Sequence, residues 1–290
     1  MTSRPGRPGR GRVALHLFLA VVALLWLLPV AWAVYTSFRP YADTAARGYV
    51  SAPGALTLAN YANAWTDAEL PRFFLNTALV VIPAVVLVLV LASMVAFGLS
   101  RLSGRLNLAL LIVFAAGSLL PPQVLVIPLF RLFLAIPLPA PLSDNGLLYD
   151  QLAGLVVINV AFQLGFCTFV LSNYLRTVPG ELVEAAVIDG ASLHRALWAV
   201  VVPISRPAIA ALAALQTTWI YNDYLWGLVL MRTGDKRPIT SALNGLRGEY
   251  FTDTNLLAAA SILVALPTLV VFFVARRQLR RGLTLGAVRG

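Results

Sequence analysis

Apolar runs about twenty residues long decide what this chain can fold into. The first, Val13–Ala33, carries no Asp, Glu, Lys or Arg. At about 1.5 Å per helical residue it matches the hydrocarbon thickness of a bilayer. Hydrocarbon offers the backbone no partners, so such a run is read as a helix that satisfies its own hydrogen bonds. Five further runs follow: Asn76–Leu99, Leu108–Phe130, Leu152–Leu171, Pro207–Trp226 and Leu256–Val274. Pro83 marks a kink in the second. Pro121, Pro122 and Pro128 remove backbone donors from the outer half of the third, which predicts an irregular, protein-packed end there. The fold class is therefore all-α: a polytopic membrane protein whose residues 13–275 form one domain of six transmembrane helices. Six spans put both termini on one side.

Composition agrees. Charged residues make up 12% of the chain, against about a quarter in soluble domains. The single cysteine, Cys167, lies inside an apolar run, so there is no disulfide framework. Residues 1–12, MTSRPGRPGRGR, cannot bury apolar area and are read as a disordered tail. Arginines ahead of an apolar run resemble a signal peptide. The run is too long for that, and no convincing cleavage site ends it, so it is read as an uncleaved first span. Residues 39–72 read as a polar loop with Tyr41, Tyr49, Tyr61 and Trp65.

Basic residues set the orientation. Arg4, Arg7, Arg10, Arg12, Arg101, Arg105, Arg176, Arg195, Arg206 and the terminal group from Arg276 to Arg289 share one side and sit close to span ends. Fewer face the other side, in longer loops. That bias places both termini, including a tail at 276–290, in the cytoplasm. The net charge of +10 then reflects topology and attraction to anionic lipid rather than nucleic acid.

Between the fourth and fifth runs, Leu175–Pro207 is helical but too short and too polar to span. Pro179 and Gly180 stand at a start. Glu181 and Glu184 suit the positive end of a helix dipole. Leu182, Ala185, Ala186 and Ile188 make a small apolar stripe. Gly190 breaks the helix, Ser192 can cap a second one, and Pro203 and Pro207 close the segment. This helix–Gly–helix elbow, at about 177–203, lies on the cytoplasmic side and is shaped to meet a partner. A helix lying in the lipid interface is the competing reading, although such helices favour Lys and Arg on the polar face.

Nothing in the chain supplies energy or chemistry. The only lysine is Lys236, in TGDKRP, so no phosphate-binding G-x-x-x-x-G-K motif exists. There is no HExxH, no metal-ligand spacing and no G-x-S-x-G, and His16 and His194 are isolated. The chain reads as no enzyme and as holding no cofactor of its own.

Polar residues inside spans are the remaining signal. Asn159 and Gln163 share a face of the fourth run. In the fifth, Gln216, Trp219, Asn222 or Asp223, and Trp226 recur at three or four residues. Aromatic planes beside amide and carboxylate groups suit a polyhydroxylated solute; the same residues equally suit helix–helix contacts and an aromatic belt.

Glu184-Ala185-Ala186, Gly190 after three more residues, then Val200, Val202 and Pro203 are similar to the EAA pattern of ABC importer permeases. Asp189-Gly190-Ala191 and the GLTLGAVRG end, Gly282–Gly290, resemble the sugar branch, close to the second permease of maltose-type systems. The resemblance covers nearly the whole chain. It implies a bacterial plasma membrane subunit that forms half of a path for a sugar. Its partners are a second homologous permease, two ATP-binding subunits that hold the ATP and magnesium, and an extracytoplasmic binding protein. It implies that Glu184, Ala185, Ala186, Asp189, Gly190 and Pro203 couple the path to the ATPases, with Glu184 accepting from a partner arginine. The terminal Gly282–Gly290 would reach the ATPase dimer. The outer loop Leu228–Asn255 would project toward the binding protein, with Asn244, Gly245, Gly248 and Tyr250 at its tip. A non-sugar solute such as a glycerol phosphodiester is the alternative cargo. A secondary transporter normally shows ionisable residues deep in several spans, and only Asp223 is a candidate here. A membrane-bound structural or assembly protein would leave the elbow without a purpose.

Overall fold

Residues 10–102, 105–246 and 253–285 are described in a computed structural model of the chain. Among them there is no β-strand; one isolated antiparallel bridge joins Pro137 and Leu147. Four helices are long and apolar enough to cross a membrane, and six if each of two sharply bent helix pairs counts as one span. The chain divides into two compact units, Met1–Glu69 with Leu246–Leu263, and Leu70–Gly245 with Val264–Gly290.

The first unit opens with α1 (Arg10–Ser37), which begins inside the stretch read as a disordered tail. Its apolar side chains, Phe18, Leu24 and Trp26 among them, point outward, as lipid-facing residues do. Beyond it, the segment read as a polar loop is a folded cap containing α2 (Tyr41–Arg47) and α3 (Ala59–Thr66). Its centre is Arg39, fully buried. The guanidinium pairs with Asp43 at 2.8 Å and donates to the carbonyls of Gly48, Tyr49 and Ser51 and to Ser51 Oγ. Asn60 donates to the carbonyls of Ser37 and Arg39. Asn255 donates to those of Thr36 and Arg39 and accepts from Thr44 Oγ1. A buried cation is tolerable when its donors are matched this fully.

The second unit is organised by α4 (Leu70–Arg101) and α7 (Leu152–Leu175), with α11 (Arg206–Tyr221) against both. Ala84, Val88, Ala92 and Ala96 of α4 are fully buried and lie four residues apart. A stripe of small side chains lets helices approach closely where lipid supplies no hydrophobic drive. Pro83 is accommodated inside α4. The next helix in the chain is α5 (Arg105–Ser118), whose backbone touches α7: a Cβ on Gly165 would sit 2.6 Å from the Phe114 carbonyl oxygen.

The third apolar run is broken, as its prolines predict. Pro121 is extended, a 3-10 turn covers Pro122–Leu125, and α6 (Val126–Ala135) leaves at 83° to α5. The fifth is shorter than expected. α11 stops at Tyr221, and Trp226 belongs to a separate helix, α12 (Leu225–Leu230). Two side chains cause the stop: Asn222 Nδ2 turns back to the Thr218 carbonyl, and Asp223 Oδ1 accepts from the Trp226 amide. Such local bonds compete with helix continuation.

Past α12, the outer loop is ordered by its contacts with the rest of this unit. A 3-10 turn at Gly234–Lys236 precedes a short helix, Ile239–Ala242, and a second 3-10 turn, Leu243–Leu246. Asp150 adopts φ 61° and accepts from the amides of Arg232 and Thr233 and from Thr233 Oγ1. Asn76 donates to the carbonyls of Asp235 and Arg237, and Thr77 Oγ1 accepts from the Ile239 amide. The final long helix, Thr254–Leu285, continues through most of the stretch expected to be a tail.

Candidate functional site

The elbow consists of α8 (Glu181–Ile188) and α9 (Leu193–Ala196). Glu181 and Glu184 occupy the first turn of α8, where their charge favours the dipole. The helix ends in a Schellman turn: the Gly190 amide donates to Val187 O at 3.0 Å and the Ala191 amide to Ala186 O at 2.9 Å. Gly190 has φ +85°, and apart from its own backbone and its two chain neighbours nothing lies within 4 Å of where its Cβ would be. Glycine is required there by backbone conformation, not by crowding. Ser192 then caps α9 by accepting from the Arg195 amide. Trp198 Nε1 donates to His194 Nε2 at 3.0 Å, so this otherwise isolated histidine holds a neighbouring ring.

After α9 the backbone widens into a π turn at Leu197–Val201 and then continues through a short helix, Val202–Ile204. Pro203 lacks an N–H and crowds the carbonyl four residues before it, and the π turn falls on that stretch. A 79° bend separates this segment from α11.

The apolar stripe differs from the expected one. Leu182 is 43% exposed and Ile188 is 84% exposed, whereas Val183 is 3% exposed. Val183, with Ala196, Leu197 and Val201, joins Phe97 of α4, Leu171 and Leu175 of α7, and Ala208 and Leu212 of α11 in one core; Ala186 packs partly against it. The elbow is thus rooted in three long helices by one face. The other face leaves Leu182, Val187, Ile188 and Leu193 exposed beside Glu181, Glu184, Ala185 and Asp189. Sequence periodicity missed Val183 because one turn of a two-turn helix fits either register.

The in-span polar residues meet α7. Asn159 Nδ2 donates to Asp223 Oδ2 at 3.2 Å. Trp226 packs on Phe162 with ring centres 5.4 Å apart, and Trp219 meets Phe166 edge-on at 5.7 Å. Asn159, Phe162 and Phe166 lie at helical spacing, so one face of α7 receives all three partners. Gln216 is fully buried, and neither amide atom has a hydrogen-bond partner among the described residues. Asn222 is exposed. The expected single face thus splits between buried and exposed environments. A cavity of about 250 Å³ beside α5 and α7 is lined by Val113, Phe114, Leu125, Phe162 and neighbours, largely apolar.

On the outer side, Asn244 and Gly245 lie in the 3-10 turn after Ala242. Gly248 and Tyr250 lie outside the described residues, as do residues 286–290 of the carboxy-terminal motif. Among the described residues no group of His, Cys, Asp or Glu is placed to hold a metal.

Residues 88–283, which contain the elbow, its root and the broken fifth span, match the family described as binding-protein-dependent transport system inner membrane component. The chain belongs to this family. It is 31% identical over 276 residues, 94% of this chain and 88% of the other, to the diacetylchitobiose uptake system permease protein NgcG of Streptomyces coelicolor. It is 28% identical, over 94% of this chain and 95% of the other, to the melibiose/raffinose/stachyose import permease protein MelC of Bacillus subtilis. A chain from the crystal structure of a bacterial ABC transporter involved in the import of the acidic polysaccharide alginate shares the fold, with a TM-score of 0.76, 21% identity, and coverage of 94% of this chain and 99% of that one. This chain is therefore a multi-pass permease subunit of a binding-protein-dependent transport system.

Proposed function

We propose that the chain forms half of the translocation path of a sugar importer. It sits in a bacterial plasma membrane with both termini and the elbow in the cytoplasm. Its partners are a second, homologous permease, two ATP-binding subunits and an extracytoplasmic binding protein that delivers an oligosaccharide. ATP and magnesium bind to the ATP-binding subunits, and this chain catalyses nothing itself. The relatives named for diacetylchitobiose uptake and for melibiose, raffinose and stachyose import support the cargo class.

One observation carries the mechanism: the elbow has one face embedded in the α4–α7–α11 core and the other open, aliphatic and acidic. A knob rooted this way transmits displacement to three helices instead of bending at its base. Ala185 lets a partner surface come close, Glu184 offers an acceptor for a cation of the ATP-binding subunit, and Asp189 and Gly190 set the turn. Pro203 lies where the root joins the fifth span. Closure of the ATP-binding pair would draw the knobs of the two permeases together and tilt the spans between inward- and outward-open states.

Gln216, Trp219, Asn222, Asp223 and Trp226 are proposed as part of the solute path. In the packed state described here most of them engage α7, so the path they line would open only when α11 and α7 part. Asn244, Gly245, Gly248 and Tyr250 are proposed to meet the binding protein.

The test is ATP hydrolysis by the reconstituted complex, stimulated by binding protein loaded from a panel of oligosaccharides. Stimulation should be lost in Glu184→Lys and Gly190→Asp. If both variants assemble and respond like the wild type, the elbow is not the coupling element.

A further inference from the structure

At the root of the elbow a second cavity, of about 210 Å³, lies between the end of α4 and the link from α7 to α8. Phe97, Leu175, Val183 and Val201 are buried and form its apolar floor. Its rim is exposed and polar: Ser100, Arg101, Arg176 and Gly180. Neither arginine has a carboxylate within ion-pair distance among the described residues. The Arg101 guanidinium stands over the Phe97 ring, 5.1 Å from its centre. Glu184 stands close by, its Oε1 3.8 Å from where a Gly180 Cβ would be, but the residues lining the cavity include the two arginines and no carboxylate.

We infer that this cavity binds the phosphodiester headgroup of an anionic phospholipid. Arginine forks suit phosphate oxygens, and basic pockets at the ends of membrane helices are recognised sites for anionic headgroups. The apolar floor distinguishes the lipid from free phosphate, because it gives the glycerol and first acyl carbons a surface that a small anion cannot use. The bound headgroup bridges Arg101 on α4 to Arg176 beside the elbow, and so ties the knob to the span through an ionic contact that the protein alone lacks. This inference does not depend on the cargo; it rests on the cytoplasmic placement of the elbow given under the proposed function.

The test is native mass spectrometry of the full chain purified with its partner subunits in detergent, titrated with phosphatidylglycerol, phosphatidylcholine or inorganic phosphate. Wild type should retain one more phosphatidylglycerol than Arg101→Gln/Arg176→Gln, whose apparent Kd at this site should rise about thirtyfold, two surface-cation contributions converted to affinity. The charge-conserving Arg101→Lys/Arg176→Lys pair should keep the lipid, and Arg195→Gln, outside the cavity, should not change the count. Equal retention by the double glutamine variant overturns the inference, as does equal competition by phosphatidylcholine. Retention of inorganic phosphate at this site with no retention of phosphatidylglycerol overturns the lipid assignment.

Discussion

Three residues show how much local geometry depends on one side chain. Gly190 holds φ +85°, where a Cβ meets the chain's own carbonyl. Gly190→Ala should therefore cost about 1–2 kcal/mol, read as a lowered thermal midpoint of the purified chain, although the space around it is empty. Asp150 also has positive φ, yet it earns its place by three accepted hydrogen bonds from residues 232 and 233. Asp150→Asn keeps the left-handed tolerance and an acceptor, whereas Asp150→Ala removes three part-buried hydrogen bonds and should cost about 1–3 kcal/mol more, again by thermal unfolding. Asp144, exposed in the connection between α6 and α7, is held down to about 2 by the Lys236 ammonium at 2.6 Å and then by Gln151. A depressed carboxyl stabilises the fold above its unfolded pKa, 3.8, and loses that contribution as pH falls through the folded value. The ion pair should hold at pH 4 and dissolve only near pH 2. In Lys236→Met the carboxyl should titrate nearer 3.8 by carbon-detected NMR, and an unchanged titration would refute the pairing.

At the scale of elements, the elbow separates rooting from docking. Val183→Ala removes buried methyls and should cost about 1–3 kcal/mol. Ile188→Ser, at 84% exposure, should leave stability within about 0.5 kcal/mol and yet weaken assembly with the ATP-binding subunits, seen as subunit loss on size-exclusion chromatography. Equal effects of the two on stability would contradict the two-faced knob. Gly165 tests a different contact: Gly165→Ala must push α5 off α7, because the obstruction is the Phe114 backbone, at about 1–3 kcal/mol. The elements themselves were unequally legible. Pro121 and Pro122 announced the broken third span because proline acts locally. Asn222 and Asp223 also act locally, but as capping side chains they resembled solute ligands, and so the end of α11 was placed five residues late.

At the scale of the molecule, the membrane class, the all-α fold, the elbow and its glycine were all legible in the sequence. Each follows from composition, hydrophobic length or a short motif, and those depend on neighbours in the chain. The folded cap around Arg39 was not legible. An arginine in a polar stretch reads as solvated, and only the meeting of residues 36–60 with Asn255, some two hundred positions later, supplies its partners. The same holds for the root of the elbow, where Val183 is distinguished from Leu182 by what α4, α7 and α11 bring to it. Sequence alone therefore determined that there is a helix–Gly–helix elbow between spans and where it turns. Tertiary structure decided which face is anchored and which is free, because burial is a property of contacts between distant segments.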